Sequence, residues 1–571
     1  MTGFVGVYAK TEAYVIPEHH KSEMRKVLSR TKSDNVDLFD SPKFCLASYD
    51  IGAYESPSLL LSEDGSVTKI AGRAYVNENT DSGRLHDSRA LTEALRCNDQ
   101  KALISARGSF CGIVYFKPQH RAYLFTDMMG VRPIYLADCG PYLAFSTSFR
   151  ALTTLSFVYN HVDEIGAMQQ GRMGYSTGAR TSISNVSVTV SGELISLDGS
   201  KVSRSRYYKI EDTAESMATE SELADVFYRS FINSVKLRCE TENRHRSLLS
   251  GGLDSRLIVS ALRIIGVEVD TFCMASTGQQ DYLFSKLFAD VVGSTHRFIY
   301  EKDGFRHQAN RLKQYTSYQK SLGNHSDAHL LWSGDGGSVG LGFVYLDQDL
   351  DNIQTEDSLQ AALHELAEIK GNGLSSKLMN KSLYEDFRVK YVDEMFQAMM
   401  ISPNESVDRN LRFYYLLNDQ RCHLHQSIED IDLHRVEFVL PFFDAELIKV
   451  MASIPYHMGR QHRFYTTVMG NFPASVSTIP WQAYPNHDPC PLPIPDDLIR
   501  QWDEADDVTR ASTRSRAAEI IIRALGPHFP ALYSRPRILM LALFECMGLS
   551  HRSYAFGPFL TLARAIDLET K

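Results

Sequence analysis

Residues Ser247-Leu-Leu-Ser-Gly-Gly-Leu-Asp-Ser255 decide the fold of this chain, and they continue directly into Arg256-Leu-Ile-Val-Ser-Ala-Leu262. The leading leucines predict a buried strand, the glycine pair predicts a tight turn, and the apolar spacing that follows predicts a helix. Such a turn presents free backbone N–H groups at a helix N-terminus, which favours a phosphate or pyrophosphate ligand. The hydroxyls of Ser250 and Ser255 add donors, and Asp254 suits a Mg²⁺ that bridges phosphates.

This segment resembles the pyrophosphate loop of the N-type ATP pyrophosphatases, and in particular that of the asparagine synthetase superfamily. Members of that superfamily activate a carboxylate as an acyl adenylate, release pyrophosphate, and let an amine displace AMP to form an amide. The β-lactam synthetases and the cyclases that close the isopeptide ring of lasso peptides belong to it. The resemblance implies ATP and Mg²⁺ as cofactors, with Asp254 as the metal ligand. The nucleotide-binding residues that it implies are Leu248, Ser250, Gly251, Gly252, Leu253, Asp254, Ser255, Met274, Ser333 and Gly334.

Length and composition limit the kinds of protein that this chain can be. A chain of 571 residues is expected to hold two or more domains, and 43% hydrophobic with 23% charged residues is typical of a soluble globular protein. The formal charge of -9 leaves no basic stripe, so nucleic acid is not expected as a partner. The nine cysteines form no C-x-x-C pair, and the sequence contains neither an apolar signal core nor a membrane-spanning run. A cytoplasmic protein without a membrane partner is therefore expected.

The first 160 residues are typical of an α+β domain, with short strands between turn residues and one helix at Ser88–Arg96. The runs predicted to be strands are Phe4–Tyr8, Ile70–Val76, Gly112–Phe116, Ala122–Thr126, Ile134–Ala137 and Tyr142–Ser146. The segments that resemble, in order, motifs of the glutaminase domain of asparagine synthetases are Met1–Tyr8, Arg107–Gly112, Asp127–Tyr135 and Phe145–Leu152. The resemblance implies an Ntn-hydrolase-like αββα fold for this domain.

The residues that such a glutaminase needs are largely absent. Its nucleophile is a Cys thiolate at the N-terminus, which is easily activated near neutral pH, whereas this chain has Thr2. The family's oxyanion-hole asparagine aligns with Ala71, and no arginine occurs between Lys43 and Gly72 to bind glutamine. Asp87 is the family residue that is retained. We therefore predict a domain without glutaminase activity, kept for structure or substrate docking.

A polar, acidic segment, Glu211–Ser221, separates this region from the next, and we place the domain boundary at residue 212. Residues 213–571 alternate between predicted strands and helices, which is typical of a doubly wound parallel sheet with its ligand beyond the strand carboxyl ends. The resemblance implies an ATP pyrophosphatase domain of the adenine nucleotide α-hydrolase-like fold, here with helical additions. It also implies that adenine packs near Leu248 and Met274, at the ends of the first two strands.

The segment Leu330-Leu-Trp-Ser-Gly-Asp-Gly-Gly-Ser338 predicts a strand that ends in a glycine-rich turn. It resembles the family's Leu-Ser-Gly-Glu-Gly-Ser-Asp-Glu, which implies that Ser333 and Gly334 approach AMP. Asp335 then falls on the position of the general base or amine-orienting residue. The chemistry needs such a group, because an incoming ammonium must lose a proton before it can attack.

Two charged groups of the family's site have no counterpart at the aligned positions. The second Mg²⁺-binding Asp is Ser338 here, so either Asp254 and the phosphates hold the metal almost alone or another carboxylate replaces it. The carboxylates that we consider as replacements are Asp327 and Asp347. The lysine that stabilises the α-phosphoryl group is also absent, because no Lys or Arg occurs from Thr466 to Ile499. The missing charge comes from a metal ion or from one of three residues: Arg463, Arg460 or His487.

The segment Val436–Asp444 resembles the family's Leu-Glu-Val-Arg-Val-Pro-Phe-Leu-Asp, and Glu437 falls on its glutamate. In β-lactam synthetases the general base pairs with a second acidic residue from the preceding helix. Glu429 and Asp430 are the candidates for that orienting role here. The catalytic residues that we predict are Asp335, Glu437, Glu429, Asp430 and Arg463.

These observations favour an ATP-dependent carbon–nitrogen ligase whose amine arrives with its carboxylate substrate. A tethered amine gains a large proximity advantage over a free one, so ring closure is expected. The long helical segment after Asp347 and the C-terminal helices favour a large substrate. We predict lasso peptide macrolactam formation between a peptide's N-terminal amine and an Asp or Glu side chain, with a leader peptidase and a leader-binding protein as implied partners.

Three alternatives stay open. The protein forms an amide from ammonia or another free amine, it closes a small ring as the β-lactam synthetases do, or it is a non-catalytic scaffold. Labelled ammonium in the product identifies the first, and ATP–pyrophosphate exchange separates the scaffold from the enzymes.

Overall fold

A computed structural model describes most of the chain. The residues that it describes are 3–11, 13–28, 30, 35–54, 56–76, 83–239, 244–300, 308–322, 328–346, 353–368, 377–402, 405–500, 509–549 and 556–570. Three residues singled out above, Thr2, Asp327 and Asp347, lie outside this set. Within the described residues, no helix has the length and apolar character needed to cross a membrane.

The first domain is built on two antiparallel sheets, each with six strands in the part of the chain that is described. In chain order the strands are β1 Gly3–Ala9, β2 Val36–Asp40, β3 Phe44–Tyr49, β4 Leu59–Leu61, β5 Val67–Gly72, β6 Phe110–Phe116, β7 Arg121–Thr126, β8 Tyr135–Asp138, β9 Tyr142–Ser146, β10 Val186–Val188, β11 Glu193–Asp198 and β12 Lys201–Arg206. One sheet has the order β10-β8-β9-β1-β3-β2, and the other has the order β12-β11-β7-β6-β5-β4.

The two sheets pack face to face, because one face of each is apolar. Phe4 and Leu46 of the first sheet meet Ile113 and Leu124 of the second in a common core. The helices of this domain are α1 Glu18–Leu28, α2 Gly83–Arg96, α3 Lys101–Ser105, α4 Phe149–Thr153 and α5 Glu164–Met173. Helix α1 packs on β3 of the first sheet, and α2 packs on β5 and β6 of the second. The layers are therefore helix, sheet, sheet and helix, as the sequence predicted.

The predicted strands of this domain are present, but one of them is shorter than expected. The run Ile70–Val76 was predicted as a strand, whereas β5 ends at Gly72, whose φ of +83° turns the backbone out of the sheet. Sequence patterns did not predict α1 or the strands β2 to β4. Strand β3 is buried along its whole length, so it has no alternation of polar and apolar residues to reveal it.

The second domain contains a parallel sheet with the order β15-β14-β13-β16-β17. Its strands are β13 Arg244–Leu248, β14 Glu268–Met274, β15 Thr295–Ile299, β16 His329–Trp332 and β17 Val436–Val439. From β13 the chain adds two strands on one side and then crosses back to place β16 on the other. This reversal makes a topological switch point at the carboxyl ends of β13 and β16, where open α/β sheets bind their ligands.

Helices of this domain flank the sheet and extend well beyond it. They are α6 Glu220–Arg238, α7 Leu253–Ile265, α8 Gln280–Val292, α9 Gln308–Ser321, α10 Gly337–Gly340, α11 Glu356–Glu368, α12 Lys381–Met399, α13 Val407–Tyr414, α14 His425–Glu429, α15 Ile431–His434, α16 Ala445–Ala452, α17 Tyr456–Gly459, α18 Arg463–Met469, α19 Ser475–Thr478, α20 Thr509–Leu525, α21 Arg535–Cys546 and α22 Gly557–Glu569. The predicted boundary at residue 212 lies between the end of β12 and the start of α6. Helix α22 nevertheless packs back on α5, so the two domains share one hydrophobic core.

Candidate active site

The loop Ser250–Ser255, called the pyrophosphate loop below, folds around three side-chain oxygens. The N–H of Gly251 donates to Oδ1 of Asp281 at 2.6 Å, and the N–H of Gly252 donates to the Ser250 hydroxyl at 3.2 Å. The N–H of Ser250 donates to the Ser255 hydroxyl at 3.1 Å. Three successive amides therefore face oxygen acceptors, which is the arrangement that holds phosphate oxygens at a strand–turn–helix junction.

A cleft with an empty volume of about 570 Å³ lies beside the pyrophosphate loop. Its lining residues are Ser250, Gly252, Leu253, Asp254, Asp281, Ser338, His462, Trp481, Gln482, Ala483, Tyr484 and Asp488. Three of these residues are aspartates and none is a lysine or an arginine, so the wall of the cleft is acidic. A polyphosphate therefore needs added cations to bind there, which is the role that Mg²⁺ has at nucleotide sites.

The turn after β16 packs directly on the pyrophosphate loop. A Cβ atom on Gly334 would lie 2.8 Å from Cβ of Asp254, and a Cβ atom on Gly337 would lie 2.6 Å from its Cγ. Both distances are shorter than two non-bonded carbon atoms can approach, so these positions require glycine. The close approach brings the two predicted motifs together at the switch point of the sheet, as the sequence analysis expected.

Asp254 receives hydrogen bonds on both carboxylate oxygens. The hydroxyl of Tyr465 donates to Oδ1 at 2.6 Å, and Ser338 donates to Oδ2 through its hydroxyl at 2.7 Å and its N–H at 3.1 Å. Burial raises the pKa of Asp254 to about 6, although the hydrogen bonds from Tyr465 and Ser338 oppose this rise. Tyr465 is a contact of the predicted metal ligand that sequence patterns did not reveal.

A Mg²⁺ ion beside Asp254 would find few protein ligands among the described residues. Among the described residues, no group of three or more His, Cys, Asp or Glu side chains could hold a metal ion. Asp254 therefore fits a Mg²⁺ whose other ligands are phosphate oxygens and water molecules, which is the usual way in which proteins hold this ion at nucleotides.

Asp335 lies at the centre of a polar cluster beyond the end of β16. Arg311 of α9 approaches its two oxygens at 3.1 and 3.3 Å, and Nε2 of His423 lies 3.5 Å from Oδ1. The hydroxyl of Ser333 donates to Oδ2 at 2.5 Å. Burial would raise the pKa of Asp335, but Arg311 and then His423 outweigh it, so the pKa is lowered. Asp335 is thus a stably ionised carboxylate and a weaker base than the sequence analysis assumed.

Glu437, predicted to be catalytic, lies between the two domains, and its catalytic role stays a prediction. Its carboxylate receives a hydrogen bond from the guanidinium of Arg132, and both side chains are fully buried. Strand β17 pairs Glu437 with Leu330, three residues before Ser333 of the neighbouring motif. Glu437 therefore anchors the first domain to the parallel sheet.

Glu429 and Asp430 also contact the first domain, and the orienting role predicted for them stays a prediction. Oε2 of Glu429 accepts from the N–H of Phe149 at 3.0 Å, and its other oxygen accepts from the Ser148 hydroxyl at the start of α4. Asp430 pairs with Arg30 at 2.8 Å. Burial raises the pKa of Glu429 to about 7, against the opposing effect of Ser148. These contacts are structural and lie on the domain interface.

The residues proposed to replace the missing lysine take up different positions. Arg463 lies at the rim of the cleft, with its side chain 60% exposed and Nε 3.3 Å from Asp488. His487 hydrogen bonds to the carbonyl oxygen of Pro485 at 2.8 Å, and Arg460 stacks over Tyr456. The structure adds Arg311, a cation beside Asp335 that sequence patterns did not reveal. Nη2 is the one nitrogen of Arg311 with a hydrogen-bond partner among the described residues.

His462 enters the cleft through an unusual backbone. Gln461 and His462 both adopt left-handed conformations, with φ of 55° and 63°, which non-glycine residues rarely do. The imidazole of His462 stacks on Tyr484 with ring centroids 5.1 Å apart. Burial lowers the pKa of His462 to about 3, so this ring is neutral and does not supply the missing charge.

The predicted adenine site remains a prediction. Leu248 ends β13 and Met274 ends β14, so both residues lie at the carboxyl edge of neighbouring strands. Both side chains are half-buried. This position is compatible with contact to a flat apolar ligand at the switch point.

Asp87, which the resemblance implies as a glutamine-binding residue, is engaged by other groups of the first domain. Arg73 donates a hydrogen bond to Oδ2 of Asp87, and both side chains are buried. The N–H of Val76 donates to Oδ1 of the same carboxylate at 3.2 Å. Asp87, the family residue that this chain retains, is therefore neutralised internally and has no charge left for a substrate amine.

Two family models match separate parts of the chain. Residues 76–208 match the family model described as a glutamine amidotransferase domain, and residues 227–326 match the model described as asparagine synthase. Together these domains support the asparagine synthetase superfamily, and the second indicates an ATP-dependent carbon–nitrogen ligase. No curated protein matches the chain.

Two solved structures are similar to part of the chain. One is titled the structure of the allosteric regulatory enzyme of purine biosynthesis, with 10% identity over 52% of this chain and 80% of that one, and a TM-score of 0.26. The other is glutamine phosphoribosylpyrophosphate amidotransferase from B. subtilis complexed with ADP and GMP, with 9% identity over 52% of this chain and 90% of that one, and a TM-score of 0.26.

Proposed function

We propose that this ligase joins a carboxylate to an amine of the same substrate molecule, and that its product is the macrolactam ring of a lasso peptide. An Asp or Glu side chain of the peptide is activated by ATP as its acyl adenylate, and pyrophosphate leaves. The peptide's N-terminal amine then attacks the acyl carbon and AMP leaves. A leader peptidase and a leader-binding protein would supply the processed peptide.

The observation that carries the ATP chemistry is the contact between the two glycine-rich motifs. Asp254 and Asp335 come from loops after β13 and β16, and Gly334 and Gly337 hold these loops in van der Waals contact. Residues of the pyrophosphate loop and the carboxylate of Asp254 border one acidic cleft. ATP binding in this cleft with release of pyrophosphate is the chemistry that this arrangement supports best.

The argument for an internal amine comes from the first domain. Arg73 neutralises Asp87, and the aligned oxyanion-hole position is Ala71, so glutamine lacks its two polar anchors there. The buried pair of Arg132 and Glu437 fills the interface between the domains. Ammonia made from glutamine is therefore not expected to serve as the nucleophile, and an amine on the substrate gains the advantage of proximity.

Each residue of the cleft has a distinct part in this proposal. Asp254 would hold Mg²⁺ together with the phosphates, and the ion would neutralise charge on the pyrophosphate leaving group. The amides of the pyrophosphate loop bind the β- and γ-phosphates, and Ser333 approaches the α-phosphate. Arg311 directs its remaining N–H groups toward the charge that develops on that phosphate, replacing the absent lysine. Asp335 keeps Arg311 in position.

The argument for a large substrate comes from the helices outside the sheet. Helices α11 and α12 lie in the sequence between the two halves of the site, and α20, α21 and α22 follow it along the chain. A small amino acid or a small ring precursor needs no such surface. A peptide of many residues does, because its binding energy is spread over an extended contact.

The proposal is tested by exchange of radiolabelled pyrophosphate into ATP. The carboxylates to be tried are synthetic peptides with a free N-terminal amine and one internal Asp or Glu, with free aspartate and glutamate beside them. We expect exchange with at least one peptide, and a product lighter than the peptide by one water. The variant Asp254→Ala should abolish exchange, whereas Asp225→Asn, on the surface of α6, should not.

Other outcomes point to the other functions. Exchange with a free amino acid and not with any peptide would favour a small-molecule ligase. Labelled ammonium in the product would favour intermolecular amide synthesis. Absence of exchange with every carboxylate, in protein that binds ATP and is folded, would contradict the proposed activity.

A further inference from the structure

The helical segment that begins with α13 carries further polar side chains, and one of them lies beside Asp335. Helix α13 continues through one wide turn at Tyr415–Gln420, a geometry that often marks functional sites. The N–H of His423 donates to the carbonyl oxygen of Asp419 at 2.8 Å, so the two side chains stand one turn apart on the same face. Sequence patterns gave neither residue a role.

His423 is oriented by Asp335. Its Nε2 lies 3.5 Å from Oδ1 of Asp335, and that carboxylate is itself fixed by Arg311 and Ser333. A carboxylate beside one imidazole nitrogen favours the tautomer with the proton on that nitrogen. Nδ1 of His423 is then the basic nitrogen, and it has no hydrogen-bond partner among the described residues.

One carboxylate oxygen of Asp419, Oδ1, is buried and has no hydrogen-bond partner within the described part of the chain. The hydroxyl of Tyr345 lies beside the carboxylate, and the ring of Tyr345 rests against Tyr415 with centroids 4.8 Å apart. A buried carboxylate oxygen is costly unless a donor reaches it. An ammonium group, with three donors and a positive charge, is the ligand that fits.

We propose that Asp419 and His423 form the binding site of the attacking amine, with Asp419 holding the substrate ammonium and His423 accepting its proton. This inference rests on the proposed function, since it assigns roles in the second half of that reaction. Nδ1 of His423 takes one proton, and the freed electron pair of the amine forms the C–N bond. The C–O bond to the phosphate breaks, AMP leaves with the electron pair of that C–O bond, and its phosphate takes the second proton of the amine.

The charges around His423 are consistent with this role. Burial lowers the pKa of His423 and Arg311 adds to that effect, while Asp335 opposes both. Asp419 is the carboxylate one turn back on its own helix. Burial raises the pKa of Asp419 to about 6, although Tyr345 lowers it, so this carboxylate gains charge once an ammonium binds. The imidazole is thus neutral and able to accept a proton near neutral pH, whereas the carboxylate of Asp335 is the weaker base.

The test compares two nucleophiles in the variant His423→Gln. Hydroxylamine is unprotonated at neutral pH and needs no base, so it should trap the acyl adenylate in this variant as in the wild type. Amide formation with the peptide's own amine should fall by roughly 10²–10⁴-fold. Exchange of pyrophosphate into ATP should continue, and Asp419→Asn should likewise slow amide formation. The exposed His457→Gln serves as the matched control.

The outcomes separate this inference from the proposed function. Loss of exchange and of hydroxamate in His423→Gln, or an unchanged rate of amide formation, would overturn the role of His423. Absence of exchange in the wild type would contradict the proposed function instead. A measurement without substrate adds a second check, because NMR of labelled histidine should show a lower pKa for His423 in Asp335→Asn. An unchanged titration there would also overturn the inference.

Discussion

The hydroxyl of Ser338 donates a hydrogen bond of 2.7 Å to Oδ2 of Asp254, at the junction of the two glycine-rich loops. The resemblance to the asparagine synthetases implies a second metal-binding Asp at the position of Ser338. The contact places Ser338 against Asp254, the predicted metal ligand. Because Ser338 carries no charge, we propose that the other ligands of Mg²⁺ come from the nucleotide.

The first prediction follows from this contact. In Ser338→Asp two carboxylates would share one site, and their repulsion should lower the thermal midpoint when EDTA is present. Mg²⁺ should bind between them and restore stability, so the midpoint should rise with MgCl2 far more than in the wild type. Ser338→Asn, which adds no charge, is the control. A midpoint in Ser338→Asp that is insensitive to Mg²⁺ would show that Asp254 is not a metal ligand.

The second prediction concerns the cation that replaces the family's lysine. Arg311 contacts Asp335 through Nη2 alone among the described residues, whereas Arg463 is exposed at the rim. Arg311→Met should raise the activation free energy of pyrophosphate exchange by about 3 kcal/mol, which slows the exchange roughly 10²-fold. Arg463→Met should cost less than about 1 kcal/mol, as exposed charges usually do. The reverse order of the two effects would reassign the role to Arg463.

The third prediction concerns the buried pair of Arg132 and Glu437. Removal of one partner leaves a buried charge, so Arg132→Met should lower the free energy of unfolding by about 3–5 kcal/mol. The double variant with Glu437→Gln should recover most of this loss, because no charge then remains buried. Urea unfolding of the wild type, both single variants and the double variant measures the coupling.

The same variants test whether Glu437 is catalytic. Folded Glu437→Gln should exchange pyrophosphate at nearly the wild-type rate, since its partner lies in the first domain. A large loss of exchange without a loss of stability would restore the catalytic role that the sequence motif suggested.

The fourth prediction is a pH dependence of stability. Lys69 is buried between the sheets, with Nζ near the carbonyl oxygen of Tyr49, and burial lowers its pKa to about 7 from 10.5. Between these two values the unfolded chain holds more protons on this side chain, so its contribution to stability rises with pH. Below pH 7 both states are protonated, and the penalty is largest and constant. Lys69→Met should therefore stabilise the protein most near pH 7.

The measurement compares urea midpoints of the wild type and Lys69→Met across this range. The stability difference should shrink by about 1.4 kcal/mol for each pH unit above 7. A difference that stays constant between pH 7 and 10 would show that Lys69 titrates at its ordinary value in the folded protein.

Sequence reasoning succeeded where the relevant contacts are local in the chain. The strand, turn and helix around Asp254 follow from the order of apolar residues and glycines, and α7 begins at Leu253, directly after the glycine pair. It failed for Arg311 and His423, because both reach Asp335 from helices that only the packing of the domain brings together. No periodic pattern encodes such a contact.

Glu437 shows a different limit of sequence reasoning. The motif resemblance draws attention to Glu437, which lies on β17. Strand β16 separates β17 from β13, the strand that leads into the pyrophosphate loop. The motif does not indicate which face of β17 the first domain covers. In the structure Arg132 of that domain pairs with the carboxylate of Glu437. The catalytic role of Glu437 therefore stays a prediction.

The source of the amide nitrogen tests the central claim most directly. The protein is incubated with ATP, Mg²⁺, a peptide that supports pyrophosphate exchange, and both ammonium and glutamine labelled with heavy nitrogen. Mass spectrometry should show a product lighter than the peptide by one water, without label and without a free N-terminal amine. A product that keeps its N-terminal amine and carries heavy nitrogen would contradict the account, because the amine would then have come from outside the substrate.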